Sequence, residues 1–255
     1  MPNLPAPDQR EATFRASPNF GERKDRRRPD TIILHYTGMA SGQSAEDWLC
    51  DPDSQVSSHY LVHEDGRIVQ MVRESDRAWH AGKSFWAGER DLNSRSIGIE
   101  IANRGHQLGY DDFPDIQVKA VIRLCKGAIK RHGISGERVL AHSDIAPGRK
   151  VDPGEKFPWQ KLGEKGIGLY VTPTPIAGGR FLSPGDEGQP VEALQSMLAL
   201  YGYEVPVTGV YDSATERDIK AFQLHFRPER VDGIADFSTI DTLHRLLKNR
   251  QKPIV

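Results

Sequence analysis

Ser96-Ile-Gly-Ile-Glu-Ile-Ala-Asn103 alternates without a break. Successive side chains of an extended chain point to opposite faces, so Ile97, Ile99 and Ile101 share one face and Gly98, Glu100 and Ala102 the other. The first face is apolar and suits a core. The second holds one carboxylate among small neighbours, which leaves room above the strand. Solvent-facing positions usually carry longer polar side chains than Gly and Ala. Glu100 therefore reads either as a surface residue or as a catalytic carboxylate, and the strand alone does not choose.

The flanking sequence supplies partners for this strand. Thr31-Ile-Ile-Leu-His-Tyr36 is a short β-branched run. Residues 57–62 and 67–72 flank Glu64-Asp65-Gly66, a hairpin signal, because Gly accepts positive φ without a Cβ clash. Residues 43–50 predict a short helix with Ala45, Trp48 and Leu49 on one side. In 115–131, Val118, Val121, Ile122, Cys125 and Ile129 recur at helical steps, with Gly133 as a stop and Asp111 or Asp112 as a cap ahead of Pro114. Residues 139–142 predict another strand. Strands interleaved with helices imply an α/β sandwich, a central mixed sheet flanked by helices.

Composition narrows the function. Lys plus Arg is 34 against 35 Asp plus Glu, so no global basic field exists to hold nucleic acid. The basic cluster Lys24-Asp25-Arg26-Arg27-Arg28 ends a polar lead-in, 1–30, read as a solvated arm. The two cysteines, Cys50 and Cys125, exclude a disulfide scaffold and a Cys-rich zinc finger and read as ordinary thiols. No apolar run reaches the ~18 residues of a spanning helix, and the start carries no secretory pattern, so a cytoplasmic location is expected.

The stretch from about 160 to 188 is rich in Gly and Pro and reads as a linker. Beyond it a short repeat appears. Gly209-Val-Tyr-Asp212-Ser-Ala-Thr215 is echoed 24 positions later by Gly233-Ile-Ala-Asp236-Phe-Ser-Thr239. Each copy predicts a turn on Gly, an Asp N-cap and a helix. With a helix near 191–200 they make a three-helix module of roughly 65 residues, near the lower limit for independent folding.

The search for chemistry begins with nine histidines. His132, His225 and His244 read as structural or surface residues. His35 interrupts an apolar strand, and a ring buried there needs hydrogen bonds or a metal. His142 closes the last predicted strand, and a Pro/Gly turn returns the chain to Asp152 ten positions later. Two imidazoles and one carboxylate leave zinc an open fourth position, where it lowers the pKa of water to ~7 and polarises a carbonyl. The spacing alone is weak, and Asp144 is a rival ligand.

Five blocks occur in a characteristic order: Thr31-Ile-Ile-Leu-His35-Tyr-Thr, Ser57-Ser-His-Tyr-Leu-Val62, Arg77-Ala-Trp-His80-Ala-Gly82, Ser96-Ile-Gly-Ile-Glu100 and His142-Ser-Asp-Ile-Ala-Pro-Gly-Arg-Lys-Val-Asp-Pro153. With these, the chain resembles the type-2 N-acetylmuramoyl-L-alanine amidases, AmpD/AmiD-like zinc amidases related to peptidoglycan-recognition proteins. The resemblance covers about residues 18–162. The repeat, with Ala221-Phe-Gln223, resembles the three-helix peptidoglycan-binding domain of wall hydrolases. The implied organisation is an arm at 1–17, a catalytic domain at 18–162, a linker at 163–185 and a binding domain at 186–250.

The resemblance implies one zinc ion per chain on His35, His142 and Asp152, with Glu100 as general base and Lys150 stabilising the oxyanion. It implies that Trp79 and His80 line the muropeptide cleft and that Asn103 hydrogen-bonds the stem peptide, while His59 packs behind. The third ligand is Asp152, where recognition relatives often carry Cys. All five catalytic positions match. The implied reaction is hydrolysis of the amide between N-acetylmuramic acid, or its anhydro form, and L-alanine. A non-catalytic recognition protein and a zinc peptidase acting within the stem peptide are the rivals. The implied partner is peptidoglycan or a muropeptide, without nucleic acid or a membrane segment, and a monomer is favoured. The wall-binding tail points to the cell envelope as the alternative location. Removal of residues after about 175 is expected to spare hydrolysis of small muropeptides and weaken attachment to sacculi.

Overall fold

The computed structural model describes residues 6–179 and 181–250. Among the described residues eight strands and seven α-helices follow one another: β1 (Thr13–Phe14), β2 (Phe20–Gly21), β3 (Thr31–Tyr36), α1 (Gly42–Leu49), β4 (Tyr60–Val62), β5 (Ile68–Gln70), β6 (Arg77–Ala78), β7 (Ser96–Ile101), α2 (Asp115–His132), β8 (Val139–Ala141), α3 (His142–Ile145), α4 (Trp159–Gly163), α5 (Gln189–Tyr201), α6 (Ser213–Phe226) and α7 (Phe237–Asn249). Six strands form a mixed sheet in the order β1-β5-β4-β7-β3-β8. Within this sheet only β4 and β5 pair antiparallel, as the Asp-Gly hairpin predicts; β1–β5, β4–β7, β7–β3 and β3–β8 are parallel.

Each face of the sheet has its own cover. Ile32, Leu34, Ile97, Ile99 and Ile101 pack with Val118, Val121, Leu124, Cys125 and Ala128 of α2. A fully buried aliphatic side chain of this kind stabilises by roughly 1.5–3 kcal/mol, so this layer is the main core. α2 ends as expected on Gly133, at φ 67. Its start departs from expectation: Pro114 itself occupies the cap position and no side chain caps the helix. The other face is shared. Leu61 and Val69 lie under Ala45 and Leu49 of α1. Ile33 and Leu140 lie under the C-terminal helices, in one cluster with Val191, Leu198, Phe222 and Leu243. Between these two covers the sheet is open.

Several expectations need correcting. The lead-in is no free arm, because β1 joins the sheet edge, β2 pairs with β6, and Arg23 is buried on the carbonyls of Glu74, Asn93 and Ser96. Arg26, Arg27 and Arg28 do face solvent. The linker packs too: Ile167 and Val171 are buried in the two large clusters. Both cysteines are free thiols.

The repeat forms as read. Asp212 and Asp236 accept from the backbone N–H groups of Thr215 and Thr239. The repeat also runs deeper than its sequence shows, since Gln195 and Gln223 hold equivalent turns through the N–H groups of Gly209 and Gly233.

The helical module is fastened to the rest by a buried carboxylate. Asp144 accepts from Tyr203 Oη at 2.7 Å, from His225 Nδ1 at 2.6 Å and from the Ala141 N–H at 2.8 Å. His225 lies between the rings of Trp159 and Phe226, with centroids 3.6 and 3.7 Å away. Both Asp144 oxygens are spent, which removes this residue as a rival metal ligand.

Candidate active site

Strand order and register bring the key side chains together. β7, β3 and β8 are parallel neighbours, with His35 opposite Glu100 and Leu34 opposite Ala141. His142, the next residue after Ala141, thus emerges beside His35. All three stand at the carboxyl ends of parallel strands, where open α/β sheets place their ligands. The chain then turns through α3 and returns, and the Ser143 N–H donates to the Asp152 carbonyl at 3.0 Å. That bond sets the Asp152 carboxylate against the two imidazoles.

The donor atoms converge. His35 Nδ1 lies 2.9 Å from His142 Nδ1 and 3.2 Å from Asp152 Oδ2, and His142 Nδ1 lies 3.0 Å from Asp152 Oδ2. Ligands about 2.1 Å from a tetrahedral zinc stand ~3.4 Å apart, so a few tenths of an ångström separate this arrangement from an ideal one. Proton positions support the fit. His142 Nε2 meets the Ala81 carbonyl at 3.2 Å, and a carbonyl only accepts, so the proton sits on Nε2 and Nδ1 is bare. Arg149 stands near the same nitrogen but gives its hydrogens to the Ala81 and Lys83 carbonyls, both at 2.7 Å. A bare imidazole nitrogen facing a carboxylate calls for a cation.

The electrostatics agree. Burial pushes His35 down to about 4, helped by His142 and opposed by Asp152, so its ring is neutral and fit to ligate. Burial alone would raise the Asp152 carboxyl, but His142 and His35 hold it well below the usual carboxylate range. Glu100 behaves oppositely. Burial, then the Asp152 charge, pushes it well above its ordinary value against the pull of Lys150. Its Oε2 is sealed from solvent with no hydrogen-bond partner. A carboxyl in that state is poised to exchange a proton with something entering the cleft.

That cleft holds about 600 Å³ and is lined by His35, Glu100, His142 and Asp152, with Lys150 exposed at its rim. Trp79 and His80 line it as well. His80, however, has both ring nitrogens engaged, by His35 Nε2 at 3.0 Å and Ser96 Oγ at 3.1 Å. Asn103 is not brought in. Its amide donates to the Asp111 carbonyl and accepts from the Gly105 N–H, and it borders a separate cavity of about 270 Å³. The cleft also takes in Tyr36 and His106, hydrogen-bonded at 3.0 Å, to which the sequence reading gave no role. His59 packs behind as expected, its Nδ1 accepting from the Gly98 N–H at 2.9 Å. Ser96 was missed, although alternation puts it on the Gly98 and Glu100 face.

Comparison with known proteins follows the same lines. A family model described as N-acetylmuramoyl-L-alanine amidase matches residues 25–155, and one described as a peptidoglycan binding domain matches residues 187–243. The chain is 40% identical over 231 residues to the N-acetylmuramoyl-L-alanine amidase AmiD of Escherichia coli (strain K12), covering 85% of this chain and 82% of that one. It is 33% identical over 163 residues to the 1,6-anhydro-N-acetylmuramyl-L-alanine amidase AmpD of Salmonella typhimurium (strain SL1344), 57% of this chain and 85% of the relative. Among solved structures, Escherichia coli AmiD in complex with the substrate anhydro-N-acetylmuramic acid-L-Ala-D-gamma-Glu-L-Lys superposes with a TM-score of 0.74 at 37% identity, covering 90% of this chain and 97% of the other. From sheet order to cleft to sequence, this chain belongs to the N-acetylmuramoyl-L-alanine amidases and is an enzyme of that family.

Proposed function

We propose that the protein is a zinc-dependent amidase that hydrolyses the bond between N-acetylmuramic acid, or its anhydro form, and L-alanine in peptidoglycan or muropeptides. The observation that carries this reading is the convergence of His35 Nδ1, His142 Nδ1 and Asp152 Oδ2 beside a buried Glu100 oxygen with no partner. One zinc ion per chain fits the donor set and, when bound, supplies Lewis acidity toward water and toward the scissile carbonyl. Glu100 takes the proton of the attacking water and hands it to the leaving amine. Lys150, at the rim, offers positive charge to the carbonyl oxygen as it becomes tetrahedral. Trp79 gives the cleft an aromatic wall for the muropeptide. Asn103 braces the loop through the Asp111 and Gly105 backbone, and its remaining N–H and oxygen lone pair would meet the stem peptide only where substrate extends into the neighbouring cavity.

The unit at 186–250 is read as a peptidoglycan-binding module joined through 163–185 to the catalytic unit at 18–162. The family matches over 25–155 and 187–243 support that division. Substrate on polymeric wall places the enzyme in the cell envelope, whereas released muropeptides suit the cytoplasm. Among the described residues no helix is long and apolar enough to cross a membrane.

Mass spectrometry of digests of sacculi and of soluble anhydro-muropeptides tests the reaction. The expected products are peptide-free sugar and an intact stem peptide beginning at L-alanine. Cleavage inside the stem makes the protein a peptidase, and no products from zinc-loaded protein make it a recognition protein.

A further inference from the structure

We infer that His80 is a positioning residue for the metal site: with Ser96 it forms a hydrogen-bond chain that starts at a backbone carbonyl and fixes which nitrogen of His35 is free to ligate. The inference rests on the zinc reading above and deepens it.

The proton positions follow one from another. Ser96 Oγ lies 2.6 Å from the Leu92 carbonyl oxygen. A carbonyl only accepts, so the hydroxyl proton points at Leu92. Ser96 Oγ must then accept from its other neighbour, His80 Nε2, at 3.1 Å. A neutral imidazole has one N–H, so His80 Nδ1 is bare and accepts. Its partner is His35 Nε2, at 3.0 Å, which must carry the proton. His35 Nδ1 is left bare, and it faces His142 Nδ1 and Asp152 Oδ2. Three links carry the polarity of one peptide carbonyl to a metal ligand. His142 needs one link for the same result, through the Ala81 carbonyl.

The surroundings are built for this ring. The N–H groups of His80 and Ala81 both donate to Asn93 Oδ1, at 3.0 and 2.8 Å, so the backbone below the ring is fixed independently of it. The ring lies flat over Gly98 of β7, where a Cβ would stand 2.5 Å from His80 Cγ. Gly98 thus gives up a side chain on the catalytic face to admit His80. Ser96 is wholly buried and shares that face. The ring meets His35 edge-on, with centroids 5.1 Å apart and planes at 87°, which aims one ring's N–H at the other's lone pair. Groups that orient a ligating imidazole raise its basicity and typically account for 10–100-fold in metal affinity.

The test uses the full chain as wild type, His80→Ala, His80→Asn and Ser96→Ala. Zinc affinity is read by chelator competition, and the His35 tautomer by 15N NMR of the zinc-free proteins. His80→Ala is expected to weaken zinc binding ~10–100-fold and to release the His35 tautomer. His80→Asn, whose Oδ1 can accept in place of Nδ1, recovers part of that loss. Ser96→Ala shows a smaller loss in the same direction and carries the test if His80→Ala does not fold. Unchanged zinc affinity in folded His80→Ala, or a wild-type His35 protonated on Nδ1, overturns the inference while leaving the metal site standing. Wild-type protein that takes up no zinc overturns the metal reading as well, and the zinc-free tautomer tells the two failures apart.

Discussion

Glu100 carries two readings in the sequence, and its surroundings choose between them. It lines the cleft, its Oε2 has no partner, and burial with the nearby Asp152 charge favours the protonated form. A raised pKa means the carboxyl keeps its proton to higher pH. In the zinc-free protein Glu100 is therefore expected to titrate well above the ordinary carboxylate range, read by 13C NMR of its side chain, and a midpoint near 4.5 contradicts this reading of its surroundings. Glu100→Ala should retain zinc by metal analysis yet lose at least ~100-fold in turnover. Full turnover in that variant removes Glu100 from the mechanism. His35 and Glu100 stood out because each breaks a pattern that packing alone would keep apolar or small, whereas His142 and Asp152 flank an ordinary Pro/Gly loop and were singled out by the family resemblance. The place of Asn103 was not legible, because its bonds to the Asp111 and Gly105 backbone, which set it beside a separate cavity, depend on a loop that local sequence does not reveal.

The elements that deliver these residues are short, and pairing matters more than length. Alternation identified β7 and the β-branched run identified β3. Their parallel register does not follow from either, because the partners are joined by a long crossover rather than a turn. Gly98 is the clearest element-scale consequence. Gly98→Ala should displace the His80 ring, cost about 1–3 kcal/mol by overpacking and weaken zinc binding. A variant that melts and binds zinc as wild type does would show that the ring has room to spare. In α6, Asp218 is 5% exposed and burial pushes its carboxyl up to about 7. Since the fold favours its protonated form, the associated stability is present below the unfolded value of 3.8 and is lost as pH rises through about 7. Asp218→Asn should raise the melting temperature at pH 8 and flatten its decline between pH 5 and 8. An unchanged slope in a thermal melt series contradicts this.

At the scale of the molecule, the helical module and the catalytic sheet share one hydrophobic cluster. The repeat and the Gly/Pro stretch made the module's existence legible. Its docking was not, because Ile33 and Leu140 look like any core residues until their cover is known. Their cover is the C-terminal cluster, and Asp144, two residues past His142, is satisfied by Tyr203 and His225 from that module. The expectation that a chain ending near 175 keeps its activity is therefore revised. Such a truncation uncovers the Ile33 and Leu140 part of one sheet face and leaves a buried carboxylate short of two hydrogen bonds, each worth about 1–3 kcal/mol when its partner is lost. It should be insoluble or melt far below the full chain, and a soluble fragment with the full-length melting temperature contradicts the shared core. The milder Tyr203→Phe should lower stability while leaving the zinc ligands in place.

The three scales meet in the zinc ion proposed between His35, His142 and Asp152. Anomalous diffraction at the zinc edge, from crystals of the full chain, measures this directly. A single peak about 2.0–2.2 Å from His35 Nδ1, His142 Nδ1 and Asp152 Oδ2 is the predicted result. A zinc-loaded crystal with no peak between those three atoms, or with the metal held by other residues, contradicts it.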